Sequence, residues 1–165
     1  MTDRPIAVLF LCTHNSARSI LAEALLNHLG EGRFVAYSAG SEPRATGLPN
    51  PLAIQVLTEA GIATHGLRSK SWQEFTDQDR PQLDLVITVC GAADAACPVF
   101  PGAPATAHWG YPDPSAGNAS EAVKLDAFSN TLMAMQQRLS WLVALPDEVL
   151  HGEGLQQAAR GLATS

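Results

Sequence analysis

Cys12 and Arg18 are the residues in this chain best placed to do chemistry. The run Cys12-Thr13-His14-Asn15-Ser16-Ala17-Arg18-Ser19 follows directly on an apolar stretch over 6–11 and leads into an amphipathic helix pattern. It reads as a strand, a tight oxyanion-binding loop carrying a nucleophilic thiol, and a helix start. A thiol at the mouth of a helix gains stability as thiolate from the unsatisfied backbone N–H groups there and from the helix dipole. Arg18, six positions on, adds a planar cationic fork suited to a tetrahedral oxyanion. Together they make a site that both binds an anion and attacks it. Most free cysteines are small buried hydrophobes; the arginine, the flanking Ser16 and Ser19, and the strand-loop-helix context favour a working thiol here.

The elements that position this loop alternate. The 6–11 run is apolar throughout, as expected of a strand buried on both faces of a parallel sheet. Ser16 is the expected cap of the next helix, where Ala17, Ile20, Leu21, Ala24, Leu25 and Leu29 fall at helical spacing before Gly30. A short strand is expected over 34–38, a helix opened by Pro49 and Pro51 and closed by Gly61, and a helical turn over 72–75. A third buried strand over 83–89 ends at Cys90, an Ala-rich stretch over 91–97 reads as helical, and 103–109 is a weaker strand. Leu125, Phe128, Leu132, Met135, Leu139 and Leu142 mark one stripe of a long helix that Pro146 stops. The order of elements predicts a three-layer α/β sandwich around a four-stranded parallel sheet, with ligands at the carboxyl ends of the strands.

With 165 residues, one core suffices. The expected division is a domain over 1–146 and a C-terminal extension over 147–165, Gly- and Ala-rich with weak periodicity, either loosely docked or a mobile tail. Ten Lys and Arg against sixteen Asp and Glu, a net charge of −6, argue against nucleic acid or an anionic membrane as partner. The short N-terminal apolar run has neither the length of a membrane span nor a cleavage pattern, so the expected location is cytoplasmic. Three cysteines, Cys12, Cys90 and Cys97, point to reactive rather than structural thiols.

Residues 8–19, with Ala22-Glu23 following, resemble the low-molecular-weight protein tyrosine phosphatase superfamily, and within it the arsenate reductases built on that fold. The segments Tyr37-Ser38-Ala39-Gly40 and His108-Trp109-Gly110-Tyr111-Pro112-Asp113-Pro114 add to the likeness. The resemblance implies sheet order 2-1-3-4, which makes the first and third strands neighbours. Neighbouring strands lie about 4.8 Å apart, within the reach that a disulfide between Cys12 and Cys90 needs. The resemblance also implies Asp113 as general acid, where the residues alone favour a solvated turn aspartate, and it matches Cys90 and Cys97 to the resolving cysteines of thioredoxin-coupled reductases. On an intact helix those two would be about 10 Å apart along the axis, so pairing requires the segment between them to unwind.

The expected reaction is reduction of arsenate to arsenite, for arsenic detoxification. Arsenate is held by the loop of Thr13, His14, Asn15, Ser16, Ala17, Arg18 and Ser19, with phosphate and sulfate as analogues. Cys12 attacks, Asp113 protonates the leaving oxygen, and Cys90 and then Cys97 carry the disulfide to thioredoxin, or to glutathione with glutaredoxin. No tightly bound cofactor is expected. The nearest alternative is a tyrosine phosphatase, which needs only Cys12, Arg18 and Asp113. Ser115 stands where the phosphatases usually carry an aromatic, and Ala17 where they carry a second loop cysteine. A third reading is a non-catalytic arsenic or metal binder using the three thiols; a zinc set of Cys90, Cys97 and His108 lacks a fourth ligand. Some family members bind potassium beside the loop. Asn15, Glu23 and Ser38 match that site, but Lys70 falls where its aspartate would be, and a Lys70 ammonium is the expected substitute. His14 is expected to tune the loop.

Overall fold

The computed structural model describes residues 4–76, 81–90, 100, 105–152 and 154–163. Strands β1 (Ile6–Cys12), β2 (Phe34–Gly40), β3 (Leu85–Thr88) and β4 (Thr106–His108) form one sheet in the order β2-β1-β3-β4, with every pairing parallel. The expected order 2-1-3-4 is therefore observed. All seven residues of β1 are buried, and strand alternation divides them between two cores. Val8, Phe10 and Cys12 join the side covered by helices α1 (Arg18–Leu29), α2 (Pro51–Glu59) and α3 (Glu121–Val143). Leu9 and Leu11 face a smaller cluster with Phe75, Leu83, Val86 and Phe100.

Several boundaries shift from those the sequence suggests. The second strand runs on to Gly40, and the third spans only Leu85–Thr88, with Asp84 N and Val89 N on its flanks still donating to Ala7 O and Leu11 O of β1. Ser16 does not cap α1; the residue at that position is Ala17, and no side chain caps the helix. At α2 and α3 the capping chemistry is conventional: Asn50 and Ser120 accept from Leu52 N and Val123 N at their starts. The 72–75 turn is a 3₁₀ helix, with Ser71 as its cap. The Ala-rich 91–97 stretch, and Cys97 with it, lies outside the described residues.

The C-terminal extension is docked rather than loose. After the short α4 (Asp147–Leu150), α5 (Leu155–Leu162) buries Leu155 and Ala159 in the main core, and Leu150 joins them. Leu155, Ala159 and Leu162 recur at helical spacing along α5, and its other face grips the sheet through polar side chains. Gln156 Oε1 accepts from Thr106 N at 3.0 Å, and Arg160 donates to Thr106 O at 2.8 Å and to Thr106 Oγ1 at 3.0 Å. Backbone groups on the outer edge of β4 are thereby satisfied by helix side chains. Among the described residues, no helix is long and apolar enough to cross a membrane.

Candidate active site

Cys12 ends β1 opposite Gly40 of β2, and the five residues 13–17 carry the chain to α1. The thiol is buried, and its sulfur lies 2.9 Å from Ser19 Oγ. Asn15 Nδ2 donates to Ser19 Oγ at 2.8 Å and to Ser38 Oγ at 2.9 Å. Ser19 thereby accepts from Asn15 and keeps its O–H available to the sulfur, an arrangement that suits a thiolate acceptor. Ser38 in turn donates to Glu23 Oε1. Asn15 Oδ1 accepts from Lys70 N at 2.9 Å, which fixes the amide's orientation.

Asn15 is fully buried and sits at φ +49°, a left-handed conformation that asparagine tolerates better than most residues. Its side chain thus pins a loop that its own backbone has bent. The loop is also held from outside. Glu42 N donates to Thr13 O, Asn50 N to Ser16 O, and Ser69 Oγ to His14 O, each at 2.8 Å. His14 Nδ1 lies 3.0 Å from Glu42 O, placing this half of the imidazole against the next loop. Gly40 is required by proximity: a Cβ there would stand 2.5 Å from Thr13 O and 3.0 Å from Asn15 N. With no side chain capping α1, the first-turn N–H groups and the helix dipole remain directed at the Cys12 end, an arrangement that receives an anion.

Arg18 is buried, and its Nη1 donates to Tyr111 O at 2.9 Å. That bond ties the anion loop to the segment 109–115, which carries Asp113 at the carboxyl end of β4. Ser115 holds the aspartate: its N and Oγ both donate to Asp113 Oδ1, at 2.9 and 2.7 Å. Both donors fall on Oδ1, and Oδ2 receives neither of them. Sequence reasoning noted Ser115 only for the aromatic it replaces; its role in orienting the carboxyl is visible as an Asx turn.

Cys90 is fully buried and belongs to the same packed cluster as Cys12. The register pairs Leu11 with Thr88, and Val89 N donates to Leu11 O at 2.9 Å, so Val89 stands beside Cys12 and Cys90 one residue beyond. In a continued strand Cys90 would face the other side of the sheet. The chain departs from strand alternation after Val89, and Cys90 packs on the Cys12 side instead. Both thiols are free of disulfides.

Beneath the loop lies a buried charge pair. Lys70 Nζ is 3.8 Å from Glu23 Oε1 and donates to Arg68 O at 3.0 Å. Burial pushes the Glu23 carboxyl up from its ordinary range and the Lys70 ammonium down, while each partner opposes the other's shift. Asn15, Ser38, Glu23 and Lys70 form one hydrogen-bonded and ionic chain, as the sequence placed them. Among the described residues, no group of three or more His, Cys, Asp or Glu could hold a metal ion.

Comparison with known proteins matches residues 7–151 to the family described as low molecular weight phosphotyrosine protein phosphatase. The arsenate reductase of Bacillus licheniformis is 38% identical over 134 residues, covering 80% of this chain and 91% of that protein. The arsenate reductase of Staphylococcus aureus strain N315 is 40% identical over 116 residues, covering 69% and 82%. The crystal structure of arsenate reductase from Archaeoglobus fulgidus superposes with a TM-score of 0.67 at 28% identity, covering 84% of this chain and 99% of that one.

Two substitutions test this geometry. Gly40→Ala pushes a methyl into the Thr13 carbonyl, and inorganic phosphate binding measured by calorimetry should weaken about tenfold or more while the fold persists. Lys70→Met leaves Glu23 buried without its cation and should cost about 3 kcal/mol near pH 8 by urea unfolding. The raised Glu23 carboxyl takes up a proton in the folded state, so stability is retained below the unfolded carboxyl range and lost as pH rises. The deficit should therefore shrink towards pH 5.

Proposed function

The chain belongs to the low molecular weight phosphotyrosine protein phosphatase family, and we propose that it works there as an arsenate reductase, turning the family's anion loop to redox chemistry. The observation that carries this reading is the second buried thiol: Cys90 stands one residue beyond Cys12's neighbour on the adjacent strand and on the same side of the sheet. Hydrolysis of a phosphate ester has no use for it. The identity to arsenate reductases over most of their length supports the same substrate.

In this mechanism arsenate sits in the cradle of residues 13–19 against Arg18, as phosphate or sulfate would. The Cys12 thiolate, steadied by Ser19, attacks arsenic, and Asp113 gives its proton to the departing oxygen, which leaves as water. Cys90 then attacks the Cys12 sulfur. The Cys12–Cys90 disulfide forms as the sulfur–arsenic bonding pair passes to arsenic, reducing it from the pentavalent to the trivalent state, and arsenite departs. Cys97 attacks Cys90, freeing Cys12, and a dithiol reductant of the thioredoxin type reduces the Cys90–Cys97 disulfide. Glutathione with glutaredoxin is the competing source of electrons; it resolves the Cys12 adduct directly and needs neither later cysteine. The tyrosine phosphatase reading is disfavoured by Ser115, which is committed to Asp113 rather than to a substrate ring.

In the same site the Lys70 ammonium takes the place of a bound potassium ion beside Asn15, Glu23 and Ser38, supplying from within the chain the positive charge that Glu23 requires.

Cys90→Ser should make one arsenite per chain at most with thioredoxin as sole reductant, against continuous turnover for the parent; repeated turnover by that variant overturns the relay. Exchanging sodium for potassium chloride should change the parent's rate less than about twofold, whereas Lys70→Asp should make it potassium-dependent. A strong, potassium-specific stimulation of the parent would oppose the ammonium's assigned place.

A further inference from the structure

The helix α5 lies beyond residue 151, where the family match ends, yet its contacts converge on the segment that carries Asp113. Trp109, only 1% exposed, donates from Nε1 to the Ala159 carbonyl of α5 at 2.8 Å. Arg138 of α3 lies against both aromatic rings of that segment, 5.6 Å from the Trp109 centroid and 5.1 Å from that of Tyr111. On the near side of Trp109, Gln156 and Arg160 grip Thr106 of β4. On its far side, Tyr111 O receives Arg18 Nη1. A continuous set of contacts therefore runs from α5 through Trp109 to the anion-binding arginine and to Asp113, four residues further on.

We propose that α5 is a positioning element for the reaction: by anchoring Trp109 at Ala159 and β4 at Thr106, it holds the 109–113 segment where the Tyr111 carbonyl meets Arg18 and Asp113 meets the leaving oxygen. This rests on the reading of Asp113 as general acid. The physical need is local. The loop between β4 and α3 is punctuated by Pro112, Pro114 and Gly117, and its last backbone bond to the sheet is Trp109 N to Thr88 O at 2.8 Å, so its placement depends on how Trp109 is held. The indole is well suited to the task, since its ring fills core volume while its one N–H selects one acceptor. Trp109 and α5 touch no substrate here; they act through Asp113 and Arg18.

The test uses the full chain, with arsenate as substrate and thioredoxin as reductant. Trp109→Phe keeps an aromatic ring in the core and loses the N–H. It should lower kcat about fivefold or more and leave KM within about twofold. The pair Gln156→Ala and Arg160→Ala, on the outer side of α5, should give the same signature more weakly. Combined with Trp109→Phe it should add little, since both act through one tether. If Trp109→Phe does not fold, the Gln156 and Arg160 pair carries the test alone. A lowered melting temperature with kcat and KM unchanged would make α5 a stabiliser only and overturn the proposal. Asp113→Asn separates the two levels. If that variant loses activity while Trp109→Phe keeps its kcat, the acid stands and the role of α5 falls; if Asp113→Asn is fully active, both fall.

Discussion

The amide of Asn15 is the interaction on which the rest of the site depends. A single fully buried side chain receives Lys70 N on its oxygen and donates from its nitrogen to Ser19 and Ser38. Each serine then has its proton free for one further acceptor: the Cys12 sulfur in one direction and the Glu23 carboxylate in the other. The same residue holds the left-handed turn that brings the loop back over β1. A buried amide in low dielectric is costly unless every partner is in place, so the network is rigid once formed. That rigidity presents the thiol and the first turn of α1 to one anion-sized space.

Around this centre the fold supplies two further constraints. The parallel sheet brings β1 and β3 side by side and leaves their carboxyl ends together, which sets Cys90 near Cys12 without any sequence proximity. The departure from strand alternation after Val89 decides the side of the sheet that Cys90 occupies. Arg18 bridges to the opposite wall through the Tyr111 carbonyl, so the groups that bind the anion and the group proposed to protonate it share one mechanical frame.

Much of this was legible in the residues. Periodicity located α1, α2 and α3 and the buried strands, because each helix presents a continuous apolar stripe and β1 is apolar on both faces. The Cys12 to Arg18 spacing and the strand before it identified the anion loop. What escaped the sequence is mostly contact made by backbone or by residues far apart in the chain. Ser16 has the composition of a helix cap, but the first turn of α1 is turned toward the anion loop and takes none. The need for Gly40 arises from Thr13 O across the sheet, and the bond to Arg18 is received by the carbonyl of Tyr111, so neither side chain reports it. The extension over 147–165 looked weakly ordered because the apolar stripe of α5, Leu155, Ala159 and Leu162, is short and set among Gly and Ala, and the bonds of Gln156 and Arg160 to β4 are invisible in sequence.

In the proposed reaction the electrons come from the chain's own thiols, two of which are left joined in a disulfide after each turnover. Fully reduced protein, freed of small thiols and mixed with excess arsenate, should release one equivalent of arsenite, and mass mapping should then find two of the three cysteines joined in a disulfide. No arsenite before a reductant is added, with Cys12, Cys90 and Cys97 all still open to alkylation, would contradict it.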